Sequence, residues 1–414
     1  MRLPVLLLIF SYLLIIATDA LILYDFRVMS VFDKYRPKRK RKGNWWKVYC
    51  VFSILILAVF TVAICLPRRE GGSEIIHIMW LLYIVISVLV AQIVYCLFSI
   101  LGFLPKIFRR RRWNTGLWVG LPLAVLFFVM MWWGTIFGRN KIDVVDVAVT
   151  SSSLPASFNG YKIAQISDLH VGTWGTDTSF VSKLVDSVNS QTPDLIVFTG
   201  DIVNRKTSEI EPFLKVLSRL HARDGVYSIL GNHDYGDYID WANPDEKEEN
   251  LRLLKSYQKA MGWKMLNNEF KTIKNSADDS IILIGVENWG EPPFSRYGDL
   301  QKAYPIEKMN DSNFKILLSH NPEHWNREVS EISNIDITLS GHTHAMQFML
   351  GAGGWRWSPA KYKYDQWGGL YSKKNNQGKD TQIYVNIGAG EVGMPMRVGA
   401  TPEITLITLH KSGS

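Results

Sequence analysis

The chain has 414 residues, a formal charge of +8 and three cysteines, a length that allows two or three structural units. Residues 1–149 carry 19 Lys/Arg against 7 Asp/Glu, and residues 150–414 carry 27 against 31. The basic balance therefore belongs to the first third, which excludes a basic nucleic-acid-binding domain, and with Cys50, Cys65 and Cys96 all in that third the remainder has no disulfide framework.

Four apolar stretches come first, at about residues 3–24, 48–66, 75–104 and 117–137. Each reaches the roughly 20 residues that a bilayer crossing takes. Ala17-Thr18-Asp19-Ala20 resembles a signal-peptide cleavage site, but the apolar run continues past it. Trp45, Trp46, Trp113, Trp132 and Trp133 stand near the ends, as an interfacial belt would. The loop after the first stretch holds Arg27, Lys34, Arg36 and the basic run 38–42, and the loop after the third holds Lys106 and the basic run 109–112. Between them Arg68 and Arg69 are offset by Glu70 and Glu74. The positive-inside bias puts loops one and three in the cytoplasm and both termini outside. Residues 140–414 are then periplasmic or extracellular, on a multi-pass protein of the inner or plasma membrane. The same loops would also suit anionic lipids. Asp19 is expected to reach the headgroups, and the few polar groups in these stretches give little support to a channel.

The soluble part begins with a strand at 143–150 and a turn at 151–155. An apolar strand at 161–167 ends in Asp168-Leu169-His170, and a helix follows at 179–191. A strand at 194–199 ends in Gly200-Asp201. A helix at 211–220 leads to a strand at 225–230, which ends in Gly231-Asn232-His233-Asp234. After a helix at 245–261 come strands at 281–286, at 314–319 before His320, and at 335–340 before Gly341-His342-Thr343-His344. Strands at 381–386 and 401–409 close the chain. Strand-helix alternation followed by strands indicates an α/β sandwich with a mixed sheet.

The polar clusters share one address, the loop at a strand's carboxyl end, where open α/β sheets place ligands. They supply Asp168, His170, Asp201, Asn232, His320, His342 and His344, which are oxygen and nitrogen donors without thiolate. Such a set suits Mn²⁺, Fe or Zn²⁺. It is too large for one ion and sufficient for two if a carboxylate bridges them. His221 and His324 lie outside it. Glu287, Asn288 and Trp289 follow a strand and are candidates for the pocket wall.

Asp-x-His, Gly-Asp, Gly-Asn-His-Asp, a later His and Gly-His-x-His, in that order, resemble the calcineurin-like metallophosphoesterase superfamily over residues 160–410. The resemblance implies a four-layer α-β-β-α sandwich with two divalent ions, and hydrolysis by attack of a metal-bridging hydroxide. Asp168, His170 and His344 would hold one ion, Asn232, His320 and His342 the other, and Asp201 would bridge. His233 matches the family's catalytic histidine, with Asp234 orienting it and raising its pKa. Pro395-Met396-Arg397-Val398-Gly399 and Pro402-Glu403-Ile404-Thr405 resemble the membrane-anchored bacterial branch, which includes lipid phosphoesterases and UDP-diacylglucosamine hydrolases. Many members follow Gly-His-x-His with Gly-Gly-Gln; Ala345-Met346-Gln347 stands here and would reshape one wall.

The chain is thus expected to comprise a four-helix membrane region, 1–139, and a phosphoesterase domain, 140–414. It would hydrolyse a phosphoester or pyrophosphate of lipid-linked or amphiphilic character. Its partners would be substrate and membrane lipids, without nucleic acid. Interleaved aromatic and basic residues in 351–371 suit a headgroup interface or, equally, a packed loop. The rival reading is a non-catalytic membrane sensor or scaffold on the same fold, against which stands the complete donor set.

Overall fold

The computed structural model describes residues 5–28, 45–66, 72–292, 295–305, 308, 311–332, 334–376 and 378–412. Two compact units divide at Thr135/Ile136. Most of the basic first loop, together with Arg68, Arg69 and Glu70, lies outside the described residues.

In the first unit, helices cover Val5–Val28, Trp45–Cys65, Gly72–Leu101 and Leu121–Ile136. Among the described residues, four are long and apolar enough to cross a membrane. The last opens with a π turn over Gly116–Gly120, just before Pro122, which has no N–H to give the carbonyl four residues back. Ile15, Ile56, Phe60 and Val85 form the apolar contact between the first three helices.

The interior of this unit is more polar than expected. Asp19 does not reach for headgroups. It is buried, and its Oδ1 accepts from Tyr49 Oη at 2.6 Å and Gln92 Nε2 at 2.8 Å. Two turns further along the same helix, Asp25 is buried against Arg112 at 2.6 Å, with Ser99 and Tyr95 donating to its other oxygen. A carboxylate inside an apolar bundle is too costly to leave unpaired, and partners from the second and third helices and from residue 112 are close enough to prevent it.

In the second unit the strands are β1 Asp143–Ser151, β2 Lys162–Ile166, β3 Leu195–Phe198, β4 Val226–Ser228, β5 Lys264–Met265, β6 Glu269–Lys274, β7 Ser280–Gly285, β8 Phe314–Leu318, β9 Ile337–Ser340, β10 Leu350–Ala352, β11 Trp355–Trp357, β12 Gly369–Lys374, β13 Asp380–Val385 and β14 Glu403–Lys411. Among the described residues they form two six-stranded sheets, β1-β14-β2-β3-β4-β5 and β12-β13-β9-β8-β7-β6, and the separate hairpin β10-β11. β2, β3 and β4 run parallel, as do β7, β8, β9 and β13.

Period-2 alternation builds the layers. Ile163, Leu195, Val197, Ile281, Leu283 and Ile316 fill the space between the sheets. Ala164, Ile196 and Phe198 face Phe180, Val181 and Leu184 of the helix Ser179–Ser190 on one outer side. Ile282, Ile284 and Leu317 face Leu300, Trp325 and Val329 on the other. This is the four-layer sandwich. The helix expected at 211–220 is instead a 3₁₀ stretch, Thr207–Phe213, and a single α turn, Leu214–Leu217, because Pro212 interrupts the ladder.

Candidate metal centre

All the polar clusters lie just beyond strand ends, and parallel pairing of β2-β3-β4 and of β7-β8-β9 brings those ends together. The backbone there is forced. Asp168, His170, Asp201, His342 and His344 all have positive φ, between 43° and 75°, a region costly for non-glycine residues and found where a site over-determines the chain. Two glycines permit the crowding. A Cβ on Gly341 would collide with Ser167 Oγ and Asp168 Oδ2, and one on Gly231 with the Asp201 carboxylate.

Three groups of side chains converge. His344 Nε2 lies 3.3 Å from Asp168 Oδ1 and 3.1 Å from His170 Nε2. His320 Nε2 lies 3.2 Å from Asn232 Oδ1 and 3.2 Å from His342 Nδ1. Asp201 Oδ2 stands between, 3.6 Å from His170 Nε2 and 3.1 Å from His320 Nε2. His233 also falls within ligand reach of His170 and Asp201.

This donor set fits divalent cations. His320 gives its Nδ1–H to the Thr199 carbonyl at 2.8 Å, so its Nε2 meets a carboxylate oxygen, an amide oxygen and an imidazole nitrogen. All three are acceptor atoms unless a proton or a cation lies among them. Burial works against charge on Asp168 and Asp201. The histidines around them, His344 on one and His320 and His233 on the other, nevertheless hold both carboxylates below the usual range. Burial and neighbouring histidines keep His170 and His342 low, His342 at about 3, so both stay neutral, as ligands must be. Burial opposes charge on His320 too, but the Asp201 carboxylate pushes it up to about 9. Positive charge is therefore favoured at the Asp201–His320 contact.

His233 is half-buried. Its ring stacks on Tyr238 at 4.3 Å and stands edge-on to His170 at 4.7 Å. Its orientation departs from expectation. The Asp234 carboxylate does not hold the ring. It accepts the backbone N–H groups of Gly231, Asp201 and Ile202 at 2.9 Å and of Val203 at 3.3 Å, so it locks the Gly-Asp and Gly-Asn-His-Asp loops to each other. The His233 ring is set by Nδ1–H donating to the Asn204 carbonyl at 2.6 Å. A carbonyl three residues beyond Asp201 carries no side-chain signature, so spacing could not reveal it.

Other neighbours also lacked a signal. Tyr364 Oη lies 3.1 Å from His342 Nε2, and Tyr238 Oη accepts from Asn232 Nδ2 at 2.8 Å, which leaves the amide oxygen facing the centre. Buried Arg397 donates to the carbonyls of Gly390, Ala400 and Ile387 and approaches His344 Nδ1 to 3.2 Å. Gln347 donates to Met394 and Met396 carbonyls and accepts from Val392 N–H. Its side chain thus tethers the loop that carries Arg397, while Met346 stands partly exposed on the wall. Glu287, Asn288 and Trp289 bond instead to Asn268, Tyr235 and Glu328, and His324 stacks beneath Trp289.

Residues 161–346 match the family described as calcineurin-like phosphoesterase. Residues 1–139 match one described as "probable calcineurin-like phosphoesterase, transmembrane domain". The chain is 30% identical over 277 residues to an uncharacterized metallophosphoesterase of Bacillus subtilis, YkuE, which covers 66% of this chain and 87% of that one. An uncharacterized metallophosphoesterase of Campylobacter jejuni is 25% identical over 409 residues, covering 94% of this chain and 98% of its own. A UDP-2,3-diacylglucosamine pyrophosphatase of Chlamydia trachomatis is 26% identical over 280 residues, covering 57% and 80%.

Proposed function

The chain belongs to the calcineurin-like phosphoesterases, and on that premise we propose that it is a membrane-tethered two-metal hydrolase of a lipid-linked or otherwise amphiphilic phosphoester or pyrophosphate. Residues 1–139 are the tether and 140–414 the catalytic domain. The observation that carries the reading is the convergence of seven oxygen- and nitrogen-bearing side chains at the strand ends of two sheets. The lipid link is supported by the four bilayer-length helices and by the similarity to a UDP-2,3-diacylglucosamine pyrophosphatase.

Asp168, His170 and His344 would hold one divalent ion, Asn232, His320 and His342 the other, and Asp201, lying between, would touch both. Manganese is the pair we favour from an all-oxygen-and-nitrogen donor set. When bound, two such ions supply Lewis-acid charge against the negative charge that develops on the phosphoryl oxygens. His233 does what this chain can do without them. With Nδ1–H fixed on the Asn204 carbonyl, Nε2 is the atom that can carry a proton to the leaving oxygen. Tyr238 and His170 hold the ring plane, and Asp234 holds the loops on which His233 and Asp201 ride. We assign the catalytic domain to the extracytoplasmic face from the basic loops; a reporter fused after residue 414 that is active only in the cytoplasm would overturn that assignment.

The test is hydrolysis by the purified full chain with Mn²⁺, comparing a phosphodiester, a phosphomonoester and a lipid pyrophosphate. Metal-dependent turnover is expected, abolished by Asp201→Asn. In His233→Asn it should fall by about 100-fold in kcat with bound metal retained. Full activity in Asp201→Asn would overturn the metal assignment.

A further inference from the structure

The segment from Gly351 to Tyr371 divides into two kinds of aromatic residue. Tyr364 and Trp367 are 7% and 8% exposed and pack with Ala345, Ala360, Ile387 and Ala400 in a small core. Trp355 and Tyr362 are 60% and 77% exposed. Leu350 and Met346 are also exposed, as are Arg356, Lys361 and Lys363. The hairpin β10-β11 belongs to neither large sheet. The inner half of the segment is thus core, and the outer half is an apolar strip with basic residues along it, in a unit whose balance is otherwise acidic.

The strip is built into the wall of the metal centre. Ser358 Oγ donates to the Ala345 carbonyl at 2.6 Å, and Thr343 Oγ1 donates to the Trp367 carbonyl at 2.6 Å. Tyr364 Oη meets His342 Nε2. These bonds tie the segment to His342 and to Thr343 and Ala345 just beyond it, so the strip adjoins the donor set. Phe348, Trp357 and Tyr362 succeed one another edge to face, with ring centroids 6.3 and 6.4 Å apart. Lys361 and Lys363 lie over the rings of Tyr362 and Tyr364, which holds their positive charge next to the apolar surface.

We propose that this hairpin strip is the docking surface for the acyl chain of the anionic amphiphile whose phosphoester is hydrolysed, with Trp355 and Tyr362 taking the chain and Lys361 and Lys363 the charge at its head. The inference rests on the two-metal hydrolase reading and deepens it. Three features favour a lipid chain over a protein partner: a strip one hairpin wide, aromatic residues interleaved with cations as interfacial surfaces have them, and bilayer-length helices in the same chain.

The test uses the full chain in phosphatidylcholine nanodiscs with Mn²⁺ and two diesters that release the same chromophore, p-nitrophenyl methyl phosphate and p-nitrophenyl dodecyl phosphate. Trp355→Ala/Tyr362→Ala should raise KM for the dodecyl ester about tenfold, the equivalent of about 1.4 kcal/mol of lost contact. It should leave kcat for that ester, and both constants for the methyl ester, within twofold. Trp355→Phe/Tyr362→Phe should restore the lower KM. An unchanged KM for the dodecyl ester, or an equal loss on both esters, overturns the docking surface while leaving the hydrolase intact. Failure of the unsubstituted chain to turn over either ester overturns this inference, and failure also on the phosphomonoester and the lipid pyrophosphate overturns the hydrolase reading.

Discussion

Both units of this protein bury carboxylates, but the two aspartates of the helical unit and the two of the candidate centre have different surroundings. In the helical unit each buried Asp meets donors: Asp19 the hydroxyl of Tyr49 and the amide of Gln92, Asp25 the guanidinium of Arg112. In the candidate centre, Asp168 and Asp201 each accept one backbone N–H, from His342 and His233, and otherwise face a cluster of imidazoles, on a backbone bent into the left-handed region. The first arrangement links residues of different helices through hydrogen bonds and one ion pair. The second gathers carboxylates and imidazoles around shared points, which is the donor chemistry a divalent cation takes. Buried charge is therefore no guide to a site unless one asks what satisfies it.

Removing divalent ions should separate the two most sharply. Exhaustive chelation should lower turnover at least about 1000-fold, a barrier change of about 4 kcal/mol. It should leave the helical content in nanodiscs, read by circular dichroism, within a few per cent. Loss of helicity alongside activity would break the comparison.

Arg112→Ala should act on the other side. It strands Asp25 in the bundle and should cost about 3–5 kcal/mol, as breaking a buried pair does. Thermal unfolding in a fixed detergent reads this, while Asp25→Leu/Arg112→Leu should recover most of the loss. Bound manganese, measured by mass spectrometry, should be unchanged in both.

A smaller effect comes from a buried histidine outside the donor set, bonded to Ser319 Oγ and stacked on Trp289. Burial, helped by Arg296, holds His324 down at about 3 against an ordinary 6.5. Its folded pKa is depressed, so its share of stability is present above 6.5 and is lost as pH falls from there towards 3. Between pH 7 and pH 5 that share is about 2 kcal/mol. His324→Gln should flatten this part of the unfolding profile without altering metal content. The smallest effect belongs to Asp19→Asn, which keeps an oxygen for Tyr49 and should cost no more than about 1 kcal/mol, in line with interhelical hydrogen bonds in bilayers.

Much of the centre was legible because its chemistry is local. Asp168-Leu169-His170, Gly231-Asn232-His233-Asp234 and Gly341-His342-Thr343-His344 each follow an apolar run that can only be a buried strand, and the four spans announce themselves by length alone. The edge strand β6 and the hairpin β10-β11 were not legible. One carries charges at 269, 271 and 274 that break the period-2 pattern, and the other is too short to show a period.

The sequence by itself marked four membrane-length spans, the buried strands and the family motifs, because strand periodicity and residue type are properties of a few adjacent positions. Only the tertiary structure decided who touches whom. It put Asn204, not Asp234, on the His233 ring and turned Asp19 inward onto Tyr49 and Gln92. It also split the aromatic residues of 351–371 between core and surface. Each of these depends on groups distant in the chain or on a backbone carbonyl, and neither leaves a mark in residue spacing.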